Sequence, residues 1–176
     1  MNAPELSRMI KTRPLPGEMI VITANEAERA ALAARFGLSA IDSLRAELAL
    51  EAKPKAIRAT GRLKAAITQS CAVSGEDFAV HIDEPLDLRF VEAGARPLAE
   101  ADEAIEIELE ADDCDEIDYT GDMFDLGEAI SQSLGLAIDP YAEGPNADAA
   151  RRAAGIVAEG EQMGPLADLL AALKKD

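Results

Sequence analysis

SLRAELALEAKPKAIRATGRLKAAITQSCAVSGEDFAVHIDEPLDLRFVEA, Ser43 to Ala93, is the stretch that decides the fold. Leu44, Ala46, Leu48 and Leu50 alternate with Arg45, Glu47, Ala49 and Glu51. A period of two places the two sets on opposite sides of a pleated strand. AIRATGRLKAAITQSC and DFAVHIDEPLDLRFVEA also favour extended backbone, and VSGED between them has the composition of a hairpin turn. Three antiparallel strands are expected, with one face buried and one wet. Pro85 cannot donate to a strand ladder, so it should mark an edge or a bulge.

Working outward toward the N-terminus, Glu5–Lys11 and Glu18–Thr23 are short extended segments joined by a turn through Pro14, Pro16 and Gly17. NEAERAALAARFG then spells a helix. Asn25 caps it, Glu28 completes a capping box and Gly37 closes the last turn.

On the other side, AIEIELE (Ala104–Glu110) alternates as another half-buried strand, with Ile105, Ile107 and Leu109 inward. DDCDEID reads as a polar connection. A second helix begins at Asp125, with Glu128 as its reciprocal capping partner, and Leu126, Ile130, Leu134 and Ile138 share one face. Gly127 and Gly135 permit close approach on that helix, and Asp139-Pro140 ends it because the residue before proline avoids helical backbone. Residues 141–164 are rich in Ala, Gly and Glu and poor in large apolar groups, which suits a weak helix or an unfolded linker. In the closing GPLADLLAALKKD, Leu166, Leu169, Leu170 and Leu173 form a helical stripe that must bury against its own domain or dock into a partner. The expected class is α+β: an antiparallel sheet or partial barrel with two packed helices and a C-terminal helical tail. Its organisation is a single domain over 1–140, a linker over 141–164 and an amphipathic helix over 165–176.

The 176 residues carry a net charge of −17, unevenly spread. Residues 1–74 hold 11 Lys/Arg against 7 Asp/Glu, whereas residues 75–143 hold 2 against 22. Phosphates are repelled by so acidic a middle, which suits a basic protein partner or simple solubility. Lys53, Lys55, Arg58, Arg62 and Lys64 fall on two adjacent strand candidates and would gather on one wet face if these pair. They are the candidate RNA-facing patch, although no stacking aromatic is interleaved.

No apolar run is long enough to span a membrane and no secretory leader is legible, so a soluble, cytoplasmic protein is expected. Two cysteines, Cys71 and Cys114, are too few for a disulfide framework. The carboxylates around Cys114 lack the glycine and terminal Glu of a calcium loop, and His81 reads as a strand residue. With no positioned base, nucleophile motif or phosphate-cradling loop, no catalytic, cofactor or metal residue is assigned.

Cys71-Ala72-Val73-Ser74, IDEPLDLRFV, the acidic stretch, DLGEAISQSLGLAIDPY and GPLADLLAALKK occur in an order and spacing that resemble the YceD family, the large ribosomal RNA subunit accumulation proteins. The resemblance implies a non-enzymatic role in accumulation or processing of 23S ribosomal RNA and in large-subunit assembly. The implied partner is precursor ribosomal RNA or a basic ribosomal protein. An alternative is an acidic adaptor that docks a basic protein without touching RNA. Many members of the family carry Cys-x-x-Cys and a later cysteine pair, a set suited to tetrahedral zinc. Here Ser74 stands at the second position and no cysteine follows Pro140, so no structural zinc is expected.

Overall fold

The computed structural model describes residues 4–54, 56–94 and 116–156. Its elements run β1 (Met9–Lys11), β2 (Ile20–Thr23), α1 (Glu26–Phe36), β3 (Ala40–Ala52), β4 (Ala56–Ser70), β5 (Asp77–Glu92), β6 (Glu116–Tyr119), β7 (Met123–Asp125), α2 (Leu126–Ala137) and α3 (Ala147–Ala153). The class is α+β, as the alternating patterns imply. Five strands form one sheet in the order β2-β3-β4-β5-β6, and β1 pairs with β7 in a second, two-stranded sheet.

The three long strands arise from the period-two stretch. Leu44, Ala46 and Leu48 are buried on β3, and Ile57, Ala59, Leu63, Ala65 and Ile67 on β4. Arg45, Arg58, Arg62 and Lys64 point to the wet side. β3 and β4 are antiparallel, with Leu48 opposite Gly61 and a register shift between Ile41 and Ser43. At Gly61 the two backbones come so close that a Cβ would lie 1.8 Å from the Glu47 carbonyl oxygen, which explains a glycine inside a long strand.

The sheet is mixed rather than wholly antiparallel, because β6 runs parallel to β5, pairing Glu116–Tyr119 with Arg89–Glu92. Glu116–Asp118 therefore correct the reading of DDCDEID as a connection: despite their acidity they alternate, Ile117 and Tyr119 pack against the core, and Glu116 pairs with Arg89. β6 covers only the end of β5, so among the described residues Pro85 lies beyond its register. The AIEIELE strand, Lys55 and the Leu166, Leu169, Leu170 and Leu173 stripe lie outside the described residues.

α1 has the expected capping box between Asn25 and Glu28, and Gly37 closes it at φ 67°. α2 buries Leu126, Ile130 and Leu134 completely, each contributing at most about 1.5–3 kcal/mol of apolar burial. Ile138 caps the helix and is half-buried. The Asp125 side chain accepts from Gly127 and Glu128 N–H as expected. The reciprocal half is different: the Glu128 carboxylate is held by Arg35 of α1, at 3.0 Å.

Asp125 also receives Ser7 Oγ at 2.6 Å and Arg8 N–H at 2.7 Å. These bonds hold the N-terminal segment against α2, where Leu6 is fully buried. A Cβ on Gly127 would lie 2.7 Å from the Arg8 nitrogen and 2.8 Å from the Leu6 oxygen. Gly135 faces the Phe36 ring in the same way.

The chain divides into two compact units, Met1–Gln69 with Ala79–Asp139 and, among the described residues, Ser70–Phe78 with 140–156. The first contains the hydrophobic core, from Leu6 to Leu134. In the second, the end of the β4–β5 hairpin meets the segment after Pro140: Ala72 N–H donates to the Ala142 carbonyl at 3.0 Å, and Asn146 Nδ2 donates to Glu76 at 2.6 Å. α3 lies within the stretch read as linker or weak helix.

Candidate functional site

Alternation along β4 sends Arg58, Arg62 and Lys64 to the wet face together, as the sequence suggested. Most of their neighbours on that face are acidic, the exception being Arg45 opposite Lys64. Register places Glu51 opposite Arg58 and Glu47 opposite Arg62 on β3. From β5, Asp87 pairs with Arg58 through two oxygens, Nε to Oδ1 being 2.7 Å, and Asp83 pairs with Arg62. Lys64 Nζ lies 3.9 Å from the other Asp83 oxygen. Those pairings cross the strands in opposite numerical directions, which makes β4 and β5 antiparallel neighbours.

The face is thus three rows, a basic one between two that carry carboxylates. On β3, Arg45 binds Glu47 at 2.6 Å, and Lys53 at its end binds Glu51 at 2.6 Å. The Arg62 guanidinium holds the Asp83 carboxyl below its ordinary range, and Arg58 does the same to Asp87. The reciprocal hydrogen bond raises Arg62. Asp83, Asp87 and Arg62 are therefore charged at neutral pH. Sequence reasoning found the cations and missed Asp83 and Asp87 as their partners. Both pairs fold about the same point of the hairpin, so its register, not composition, brings them together.

A second group lies at the hairpin end. Cys71 is buried, and its Sγ accepts from the N–H groups of Val73 at 3.4 Å and Ser74 at 3.3 Å. Hydrogen bonds from the Ser74 side chain, the Ser74 backbone and Gly144 lower the thiol from its ordinary value to about 7. A zinc ion does not fit these residues: Ser74 offers a hydroxyl and an N–H to the sulfur, and Gly144 closes on Cys71 Cβ and the Phe78 ring. Among the described residues no three His, Cys, Asp or Glu side chains converge as metal ligands. His81 is an exposed residue of β5, as its strand position implied.

A cleft of about 630 Å³ separates β5 and β6 from α2, lined by Leu86, Leu88, Ile117, Leu136, Glu84 and Glu116 among others. Leu136 is 89% exposed at its rim. No described helix is long and apolar enough to cross a membrane.

These features define a small α+β protein whose concentrated chemistry is a charged sheet face. The chain belongs to the family of the large ribosomal RNA subunit accumulation protein YceD, whose family model matches residues 59–174. That match runs from within β4 through β5, β6, β7, α2 and α3, and begins after β1, β2, α1 and β3. No curated protein and no solved structure matches the chain.

Proposed function

We propose that the protein is a non-enzymatic cytoplasmic factor that supports accumulation and processing of 23S ribosomal RNA, and so assembly of the large ribosomal subunit. It works without metal or cofactor and touches RNA phosphates through the Arg58, Arg62 and Lys64 face, with Lys53 at its end and Lys55 as a further candidate contact. The supporting observation is that the family match takes in Arg62 and Lys64 on β4 and their partner Asp83 on β5, although it begins just after Arg58. Cells lacking the gene should be complemented with Arg58→Glu/Arg62→Glu and the ratio of mature 23S to 16S RNA measured. A fall in that ratio at normal protein level supports the reading. Full complementation by the folded variant counts against it.

The adaptor reading has its own support in the cleft beside α2, where an exposed Leu136 stands near Glu84 and Glu116, a combination suited to a basic segment with an apolar anchor. A pull-down washed over a salt series, with and without nuclease, separates the two. RNA shed steeply with salt indicates phosphate contact; a basic ribosomal protein retained after nuclease indicates docking.

A further inference from the structure

We propose that Asp83 and Asp87 are built-in competitors for RNA phosphate, so that the face on β3, β4 and β5 binds RNA only by exchanging an internal carboxylate for an external phosphate. The inference rests on the RNA-facing reading above. It begins with geometry. An arginine recognises carboxylate and phosphate with the same planar fork. Arg58 uses Nε and Nη2 on the two oxygens of Asp87, and Arg62 uses Nε on Asp83. The fork of Arg58 and the Nε donor of Arg62 are therefore already engaged, by acids one strand away on the same wet face.

The exchange is feasible because both pairs are exposed. Arg62 and Asp83 side chains are 58% and 49% accessible, and ion pairs in that setting are only marginally stabilising. A phosphate can displace such a carboxylate, whereas it could not displace one locked in a core. Two consequences follow. Affinity for isolated phosphates is low, because each contact replaces an existing one. Binding is then selective for RNA that presents several phosphates along β4 at once, since Arg58 and Arg62 are four residues apart, about 13 Å along the strand. In a chain of net charge −17, such a device keeps the basic row of β4 from collecting polyanions at random.

The test measures binding of a labelled oligouridylate and of deproteinised large-subunit ribosomal RNA between about 50 and 200 mM salt. It compares the full-length protein with Asp83→Asn/Asp87→Asn, with Asp87→Asn alone, with Arg58→Gln/Arg62→Gln, and with Glu18→Gln/Glu26→Gln as a control of equal charge change away from the face. The expected result is about tenfold tighter binding by the double Asn variant at low salt, with a log–log salt slope steeper by roughly one to two, one increment for each freed cation. Asp87→Asn falls between, and the control stays at wild-type affinity.

Equal tightening in the Glu18→Gln/Glu26→Gln control overturns the inference, because net charge alone would then be acting. So does unchanged or weaker binding by both Asn variants while Arg58→Gln/Arg62→Gln loses binding: the aspartates would then be struts that position the arginines, and the RNA face would stand. If Arg58→Gln/Arg62→Gln binds like the wild type, the RNA-facing reading itself fails.

Discussion

Arg8 and Arg62 each grip a carboxylate, yet their settings differ in kind. Arg8 holds both oxygens of Glu28, at 2.7 and 3.0 Å, and the Glu28 side chain is only 15% exposed. Glu28 in turn completes the cap of α1, and Arg8 N–H completes that of α2. Arg35 repeats the arrangement nearby, joining Glu5 to Glu128. On the sheet face the same chemistry lies in water. Near the helices the Arg8–Glu28 pair is tied to the backbone, Arg8 donating to the Ser7 carbonyl and Glu28 accepting from Asn25 N–H, so it fastens the N-terminal segment to α1. On the wet face the pairs fasten one strand to a neighbour already bonded through its backbone. Context, not residue type, separates a structural charge from one that can be exchanged.

Adjacent residues on β4 give the sharpest test of that contrast. Leu63 is fully buried between Arg62 and Lys64. Leu63→Ala should lower stability by about 3–4 kcal/mol in chemical denaturation, through lost burial and a residual cavity. Its two charged neighbours should show nothing comparable; a similar loss on replacing Arg62 would break the contrast outright.

Gly127→Ala comes next, at about 2 kcal/mol, because its Cβ meets main-chain atoms of Leu6 and Arg8 rather than a side chain that could swing away. The same measurement should show earlier proteolysis of residues before Met9, since the variant pushes that segment off α2. Stability equal to wild type would mean that the segment contributes little to holding the helices.

Glu28→Gln should cost about 1 kcal/mol, the loss of a capping charge and of one partly buried pair. The Arg8 hydrogen bond holds the Glu28 carboxyl below its ordinary range. A depressed folded-state value means that the contribution is present above the ordinary value of 4.5 and is lost as pH falls below it. Thermal unfolding of the wild type should therefore lose stability between about pH 5 and 3 more steeply than Glu28→Gln does. Parallel curves would remove Glu28 from the group of structural charges.

The sequence made some of this legible and hid the rest for physical reasons. The β3, β4 and β5 strands announce themselves because a half-buried sheet imposes a period of two, and α1 because Asn25, Glu28 and Gly37 mark its ends locally. The burial of Leu126, Ile130 and Leu134 was likewise readable. β6 was hidden because EIDY is short and acidic, and its pairing is parallel to a distant strand. β7 is three residues long and acquires meaning only through β1, more than a hundred positions earlier. Glu128 looked like a capping partner because local spacing says nothing of Arg35. The RNA-facing row was legible as a row of cations; that Asp83 and Asp87 stand against it depends on hairpin register, which composition does not reveal.

The smallest expected effect is the most discriminating. Arg58→Gln/Arg62→Gln removes both arginines of the wet row and leaves Asp83 and Asp87 without them. If these pairs were structural, the melting temperature would fall as it does for Glu28→Gln. Exposed pairs are screened, and their side chains regain freedom when released. Water also solvates the abandoned carboxylates, so no buried charge is left behind as it would be at Glu28. The melting temperature should stay within about 2 °C of wild type, while raised salt, which weakens surface pairs, should leave the difference unchanged. A clear drop that salt abolishes would place the wet row among the structural charges. Asp83 and Asp87 would then be holding the sheet together rather than standing in for a phosphate.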